Sequence, residues 1–283
     1  MSPPPEHGLA RLGGGVELAY SIIGPQQPAA DSPPDALPLL LHRPLGGSMA
    51  LWGELRRRLA TTYRVIAFDP QGVGRSSDVP FFYSTRAMAA DAVGLLDYLD
   101  VERAHVFGLS LGGMVASYMA IDAPQRVGRL VLASTLPRQS ALSARALGRG
   151  LRLLRCLTKA GAQAEVCLVV HILSAQFRKD HPERIREIGQ LVREVPARRR
   201  NLLALALAAA RHNVEPELQG LPIETLLLFG ELDPIAGQAS QAELLQALPR
   251  SRLEVLARSG HDLSLEQPIT TAERVLDFLR AGV

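Results

Sequence analysis

The 283-residue chain reads as an α/β protein, a mostly parallel sheet with helices on both faces. Three observations predict this. Short apolar runs alternate with amphipathic stretches of roughly 12–16 residues, the pattern of βαβ units around a buried parallel sheet. The alternation lapses once, at about residue 137, into roughly 80 residues of helical periodicity without a convincing strand, and then resumes. Finally, "VFGLSLGGM" (106–114) sets Ser110 between glycines where an apolar run meets a helix.

Strands are predicted at "VELAYSIIG" (16–24), "LPLLLHR" (37–43), "YRVIAFDP" (63–70), "RAHVFGLS" (103–110), "VGRLVLAST" (127–135), "IETLLLFGELD" (223–233) and "SRLEVLAR" (251–258). Helices are predicted at 49–61, at 84–99 with Ser84 as N-cap, at 111–123, at 238–248 and at 268–281. The Pro/Ala-rich stretch 25–37 reads as a surface loop, and "GGG" at 13–15 as a turn. This organisation is one core, 1–136 with 219–283, carrying a helical cap at 137–218.

Hydrophobic residues make up 47% of the chain, enough for a buried core. A net charge of +3 gives no general pull toward nucleic acid. Residues 136–219 nevertheless carry 15 Lys/Arg against 7 Asp/Glu. Solvated arginine-rich helix faces account for that excess, and attraction of an anionic substrate is the alternative. Cys156 and Cys167 are too few for a disulfide framework and read as buried free thiols. The start "MSPPPEHGLA" lacks the pattern of a secretory leader, and no apolar run reaches the ~18–20 residues of a bilayer span. The expectation is a soluble cytoplasmic monomer or homodimer that meets a small-molecule substrate, with no nucleic acid or membrane partner. No cofactor or metal is expected: no Cys/His cluster stands at ligand spacing, and "GVGRSS" lacks a P-loop lysine.

Ser110 ends a strand and opens a helix, with Gly108 and Gly112 at the positions where a tight turn excludes side chains. A serine hydroxyl needs a base. Of seven histidines, His261 in "RSGHDLSLEQP" (258–268) lies on a loop at a strand's C-terminal edge. His7 and His181 read as surface residues, His105 as core, and His171 and His212 as structural residues of the insertion or pocket lining. The base needs a carboxylate. Asp233 ends the preceding strand, with Glu231 and Asp262 as acidic alternatives. An oxyanion requires two N–H donors. Leu111 follows the serine; in "LLLHRPLGGSMALW" (39–52) Pro44 has no N–H, which leaves Leu45, with Arg43 as the alternative.

"LLLHRPLGG", "DPQGVGRSS" (69–77), "GLSLGG", "FGELDPI" and "SGHDLSLEQP", in this order, resemble the α/β-hydrolase fold superfamily over nearly the whole chain. The chain is most similar to the branch of 3-oxoadipate enol-lactonases, haloperoxidase-like esterases and C–C hydrolases. The resemblance implies an eight-stranded, mostly parallel sheet, a triad of Ser110, Asp233 and His261, an oxyanion hole of Leu45 and Leu111, and a cap over the sheet's C-terminal edge. It also implies that His42 supports the oxyanion loop. Two departures stand out. His42-Arg43-Pro44 replaces the usual His-Gly pair and sets an arginine toward the pocket mouth. Gln71 replaces a common arginine, so a charge that supports that loop is missing. The activity implied is hydrolysis of a carboxylic ester or lactone through an acyl-enzyme. C–C hydrolysis, lyase or cyclase chemistry, cofactor-free dioxygenation and a non-catalytic receptor are the alternatives.

Overall fold

A computed structural model describes residues 6–25, 37–80, 82–139, 155–156, 158–159, 163–195 and 198–281. Most of the predicted loop 25–37 and the stretch 140–154 of the insertion lie outside these. Eight strands form one sheet in the order β1-β2-β4-β3-β5-β6-β7-β8. They are β1 (His7–Arg11), β2 (Glu17–Ile23), β3 (Leu39–His42), β4 (Val65–Phe68), β5 (Ala104–Leu109), β6 (Val127–Ala133), β7 (Thr225–Gly230) and β8 (Ser251–Leu256). β2 runs antiparallel to β1 and β4, and the pairs from β4 through β3 to β8 are parallel.

The seven predicted strands are present, shorter at their ends, where turns begin. β1 is a strand that the periodicity does not reveal. It pairs only with β2, His7↔Ser21 through Arg11↔Glu17, and its half-exposed side chains give no apolar run. The triglycine forms the reversal between them, with Gly14 at φ 70. The predicted helix 49–61 is divided: a 3-10 turn, Met49–Trp52, meets α1 (Gly53–Leu59) at Gly53, whose φ of 42 and ψ of −121 break the helical path. α2 (Thr85–Tyr98) is capped as expected, the Ser84 hydroxyl accepting from the Ala87 amide. α3 (Leu111–Asp122) follows β5 directly.

Alternation along the strands divides the core into two layers. Leu40, Ile66, Val106, Leu130 and Phe229 pack against α2 and α3. Leu41, Phe107, Val131 and Leu226 face the other way, against Trp52, α1 and the closing helix Pro268–Arg280. Each buried side chain of this size contributes about 1.5–3 kcal/mol of transfer free energy.

Between β6 and β7 the described residues are helical: Gln163–Ile172, Ala175–Asp180, Pro182–Glu194, Arg199–Ala210 and Glu215–Leu218. The segment leaves and rejoins the core at one place. Arg138 bridges Asn213, and the Val214 amide donates to the Pro137 carbonyl at 2.8 Å. Val169, Leu173, Ile188 and Val192 form a small apolar cluster with Leu51 and Leu265, which seats these helices on the 3-10 turn and on the short helix Leu263–Glu266. Among the described residues no helix is long and apolar enough to cross a membrane.

The free-thiol expectation is corrected: Cys156 and Cys167 form a disulfide, with Cα atoms 5.4 Å apart. The two cysteines, eleven positions apart in sequence, stand within disulfide reach. His171, one helical turn past Cys167, brings its Nδ1 to 3.6 Å from the Cys167 sulfur. The absence of a Cys/His cluster is thereby corrected too, since the ligand atoms of Cys156, Cys167 and His171 lie within 4.8 Å of one another. Periodicity does not show it because Cys156 reaches the other two through space. Joined as a disulfide, the sulfurs are not thiolates and do not ligate a metal.

Asp69, at the C-terminal end of β4, is buried and accepts the Met49 amide at 2.7 Å through Oδ1. Burial pushes its carboxyl up to about 6, partly opposed by that hydrogen bond.

Two predictions follow from these contacts. Reduction of Cys156–Cys167 should lower stability by about 2–3 kcal/mol through the freed loop, read as a lower urea midpoint. A C156S/C167S variant should match the reduced protein and ignore reductant. Asp69 has a folded value above its unfolded one, so its contribution is complete below about pH 4 and is lost as pH rises through 6. Relative to Asp69→Asn, the wild type should therefore gain up to about 3 kcal/mol in urea unfolding between pH 8 and pH 4.

Candidate active site

β5 ends at Leu109, and Ser110 turns the chain into α3 with φ 56 and ψ −115, a left-handed value unusual for a non-glycine residue. The surroundings impose this. The Ser110 amide donates to the Ala133 carbonyl at 2.8 Å, and the Thr135 hydroxyl donates to the Ser110 carbonyl at 2.8 Å. A Cβ on Gly108 would meet the Gly112 carbonyl oxygen at 2.2 Å, and one on Gly112 would meet the His42 carbonyl oxygen at 2.0 Å. The first glycine is required by the turn itself, the second by the approach of α3 to the end of β3.

The structure brings Ser110, His261 and Asp233 together. His261 Nε2 is 2.7 Å from Ser110 Oγ, and Nδ1 is 2.9 Å from each Asp233 carboxylate oxygen. His261 and Asp233 have almost no solvent exposure. Asp233 sits in the turn after β7, and its Oδ1 also accepts the Ile235 and Ala236 amides at 2.7 and 2.9 Å. Those two amides fix the carboxylate before it meets the imidazole. The acidic alternatives lie elsewhere. Glu231 accepts the Arg258 amide at 2.9 Å, and Asp262 turns away from His261 toward Arg43.

His261 is also held through its backbone. Its amide donates to the Ile172 carbonyl at 3.1 Å, at the end of helix Gln163–Ile172. Glu266 ties the same region together: Oε1 accepts the Ser174 amide at 2.8 Å, while Oε2 accepts the Ser174 hydroxyl at 2.7 Å and the Gly260 amide at 3.0 Å. Burial raises the Glu266 carboxyl against the pull of these donors. Sequence reasoning missed this carboxylate, although it lies in the quoted "HDLSLEQP".

Leu111 opens α3, so its amide has no carbonyl one turn earlier in the helix to bond. Leu45 lies in a turn closed by the Gly47 amide on the Pro44 carbonyl at 3.0 Å, with Gly46 at φ 73. That is the geometry of a type II turn, whose own hydrogen bond leaves the Leu45 amide unused. The loop follows His42, whose carbonyl touches Gly112, so it stands beside the start of α3. His42 is buried, and burial lowers its imidazole to about 4, so the ring is neutral at pH 7. In that state Nδ1–H donates to the Arg43 carbonyl at 3.1 Å, which matches the loop-supporting role implied by resemblance.

One reading of the departures is corrected. Arg43 does not reach a pocket mouth. It is 1% exposed, its guanidinium lies over Trp52, and it donates to Asp262 Oδ2 at 2.8 Å and to the Ser264 hydroxyl at 2.5 Å. A buried guanidinium needs a carboxylate, and Asp262 supplies one from far along the chain. Gln71 brings no charge to its loop, and its buried neutral amide instead donates to Asp91 Oδ2 at 2.7 Å, where the Tyr83 hydroxyl donates to the same oxygen. The other histidines fall where expected. His105 is buried and accepts the Arg129 amide, His212 is buried beside Thr85, and His7 and His181 are exposed.

Comparison with known proteins agrees with this architecture. A profile of the alpha/beta hydrolase fold matches residues 38–153. The putative carbamate hydrolase RutD of Variovorax paradoxus is 30% identical over 268 residues, covering 93% of this chain and 96% of that protein. The 3-oxoadipate enol-lactonase 2 of Acinetobacter baylyi is 28% identical over 253 residues, 89% of each chain. Among solved structures, the enol-lactonase from Burkholderia xenovorans superposes with a TM-score of 0.83 at 25% identity, covering 96% of this chain and 99% of that one. The chain belongs to the α/β-hydrolase fold family.

Proposed function

We propose that the protein is a serine hydrolase cleaving a carboxylic ester or lactone of a small to medium, partly apolar substrate. The observation that carries the reading is the single imidazole of His261, 2.7 Å from the Ser110 hydroxyl on one nitrogen and 2.9 Å from both Asp233 oxygens on the other. A carboxylate at Nδ1 holds the proton there and leaves the Nε2 lone pair facing Ser110. His261 takes the Ser110 proton as the oxygen attacks the substrate carbonyl. The Leu45 and Leu111 amides receive the oxyanion, each such donor being worth about 3 kcal/mol of barrier. Imidazolium, stabilised by Asp233, returns the proton to the departing alkoxide. Water then attacks the acyl-enzyme with His261 again as base, releasing the acid and restoring Ser110.

Supporting this are relatives whose names describe a carbamate hydrolase and an enol-lactonase. The helical insertion 137–218 acts as the cap in this reading, resting against the His261 loop through Ile172 and Ser174. Three of its described arginines do not argue for an anionic substrate. Arg198 and Arg200 pair with Asp78, and Arg178 donates to the Val170 and Leu173 carbonyls. Of the other positive residues in the segment, Arg155 is exposed and Arg152 lies outside the described residues. Cytoplasmic residence belongs to the proposal as well, and there the Cys156–Cys167 disulfide would meet a reducing pool.

A fluorophosphonate should label Ser110. Ser110→Ala should fold as the wild type does and lose esterase activity by about 10³-fold or more, and Asp233→Asn should lower kcat by roughly 10⁴-fold. A panel of p-nitrophenyl esters, lactones and ring-cleavage diketones assigns the bond cleaved. Undiminished ester hydrolysis by the Ser110→Ala protein would overturn the reading.

A further inference from the structure

Arg43 and Asp262 stand outside the Ser110–His261–Asp233 line yet flank it. Arg43 leads through Pro44 into Leu45, and Asp262 directly follows His261. Their side chains are 1% and 0% exposed. The contacts form a closed set: Arg43 Nη2 to Asp262 Oδ2 at 2.8 Å, Arg43 Nη1 to the Ser264 hydroxyl at 2.5 Å, and that hydroxyl to Asp262 Oδ1 at 2.5 Å. The guanidinium also lies over Trp52, its carbon 4.8 Å from the ring centroid.

The two loops have no ladder in common. The Leu45 loop leaves β3 and the His261 loop leaves β8, at the edge of the sheet, with β5, β6 and β7 between them. At normal strand spacing that is a separation of roughly 19 Å at the level of the strands. Backbone pairing therefore cannot set one loop against the other; only contacts beyond the strand ends can. Apolar packing of Leu51 on Leu265 holds the neighbourhood together, but it is not directional. A planar guanidinium in a bonded fork fixes distance and angle together. Nor is stability a sufficient reason for such a pair, because desolvating both charges commonly cancels their attraction.

We propose that the Arg43–Asp262 pair, closed by Ser264, is a positioning clamp that holds the Leu45 amide and the His261 imidazole in register about Ser110. The inference rests on the serine-hydrolase reading of this site. Arg43 and Asp262 are positioning residues: they touch neither Ser110 nor the Asp233–His261 pair through any hydrogen bond described, and they act through the loops they join.

The test compares R43M, D262N and the double variant R43M/D262N with wild type on p-nitrophenyl acetate. Reactive sites are counted by fluorophosphonate titration of Ser110. Each single variant should lose about 10- to 100-fold in kcat per titrated site, as small misplacements of catalytic groups do, with KM changed by less than about 3-fold. The double variant should be no slower than the poorer single one, since a broken clamp cannot be broken twice. R43K, which keeps the charge and loses the fork, should fall between R43M and wild type. A merely structural role would reduce the number of titrated sites and leave kcat per site unchanged. That outcome, or losses that multiply in the double variant, overturns the inference. If the single variants do not fold, Ser264→Ala decides, because it opens the set without stranding a charge: a kcat loss of about 3-fold or more per site supports the clamp, and wild-type kcat overturns it. Failure of the underlying reading looks different. There the wild type itself is not labelled, and Ser110→Ala is as active as wild type.

Discussion

The closeness of α3 to β3 is the constraint on which the site depends. With no side chain at Gly112, the first turn of the helix comes against the His42 carbonyl, where a Cβ would stand only 2.0 Å from the oxygen. The chain can enter a helix so placed only by a sharp reversal, and Ser110 takes that reversal at φ 56. Such a conformation costs on the order of 1–3 kcal/mol and persists where neighbours over-determine it. Here the Ala133 carbonyl takes the Ser110 amide and the Thr135 hydroxyl holds its carbonyl. The same approach sets the loop after His42 beside the start of α3, which Leu111 opens. The strain at Ser110 and the nearness of that loop to the helix start thus have one cause.

His261 is constrained from elements that have little else in common. Its side chain is met by Asp233 from the end of β7, and its backbone by Ile172 from the helical insertion. Glu266 bonds Gly260 on one side and Ser174 on the other, so one carboxylate joins the histidine loop to the insertion. The insertion is therefore part of what holds the histidine loop. Cys167, in the helix whose Ile172 carbonyl His261 uses, also carries the disulfide to Cys156.

The residues legible in the sequence are those whose role demands a residue type at a strand end. Ser110, Asp233 and His261 each close a strand or its following turn, and the strands are legible because parallel strands buried on both faces are continuous apolar runs. β5, with all six residues buried, is the plainest case. β1 escapes because an edge strand that shows half its surface to water carries no such run. What periodicity cannot carry is a contact between segments far apart in the chain. Arg43 reads as an arginine set toward the pocket mouth until Asp262, 219 positions later, is known to face it. Cys156 and Cys167 read as separate thiols for the same reason, and nothing near Glu266 in sequence tells that Ser174 and Gly260 donate to it.

The electrostatics of the site follow from how its buried charges are matched. His42 and His212, each lowered by burial to about 4, are neutral at pH 7 and add no net charge. Arg43 is answered by Asp262 at 2.8 Å, and Asp91 by the neutral donors Gln71 and Tyr83. Around Ser110 this leaves Asp233, aimed at His261, as the buried carboxylate bonded to the imidazole. In the proposed reaction a negative charge placed there favours the imidazolium that forms when Ser110 gives up its proton. In the proposed reaction the matching positive field for an oxyanion would come from fixed dipoles, the Leu45 and Leu111 amides and the N-terminus of α3, rather than from an arginine. Dipoles of this kind need no reorganisation as charge develops, provided the loop that carries one of them stays in register with the histidine. On the proposed clamp, a paired arginine buried between the two loops serves that geometry better than a free one at the oxyanion would serve the charge.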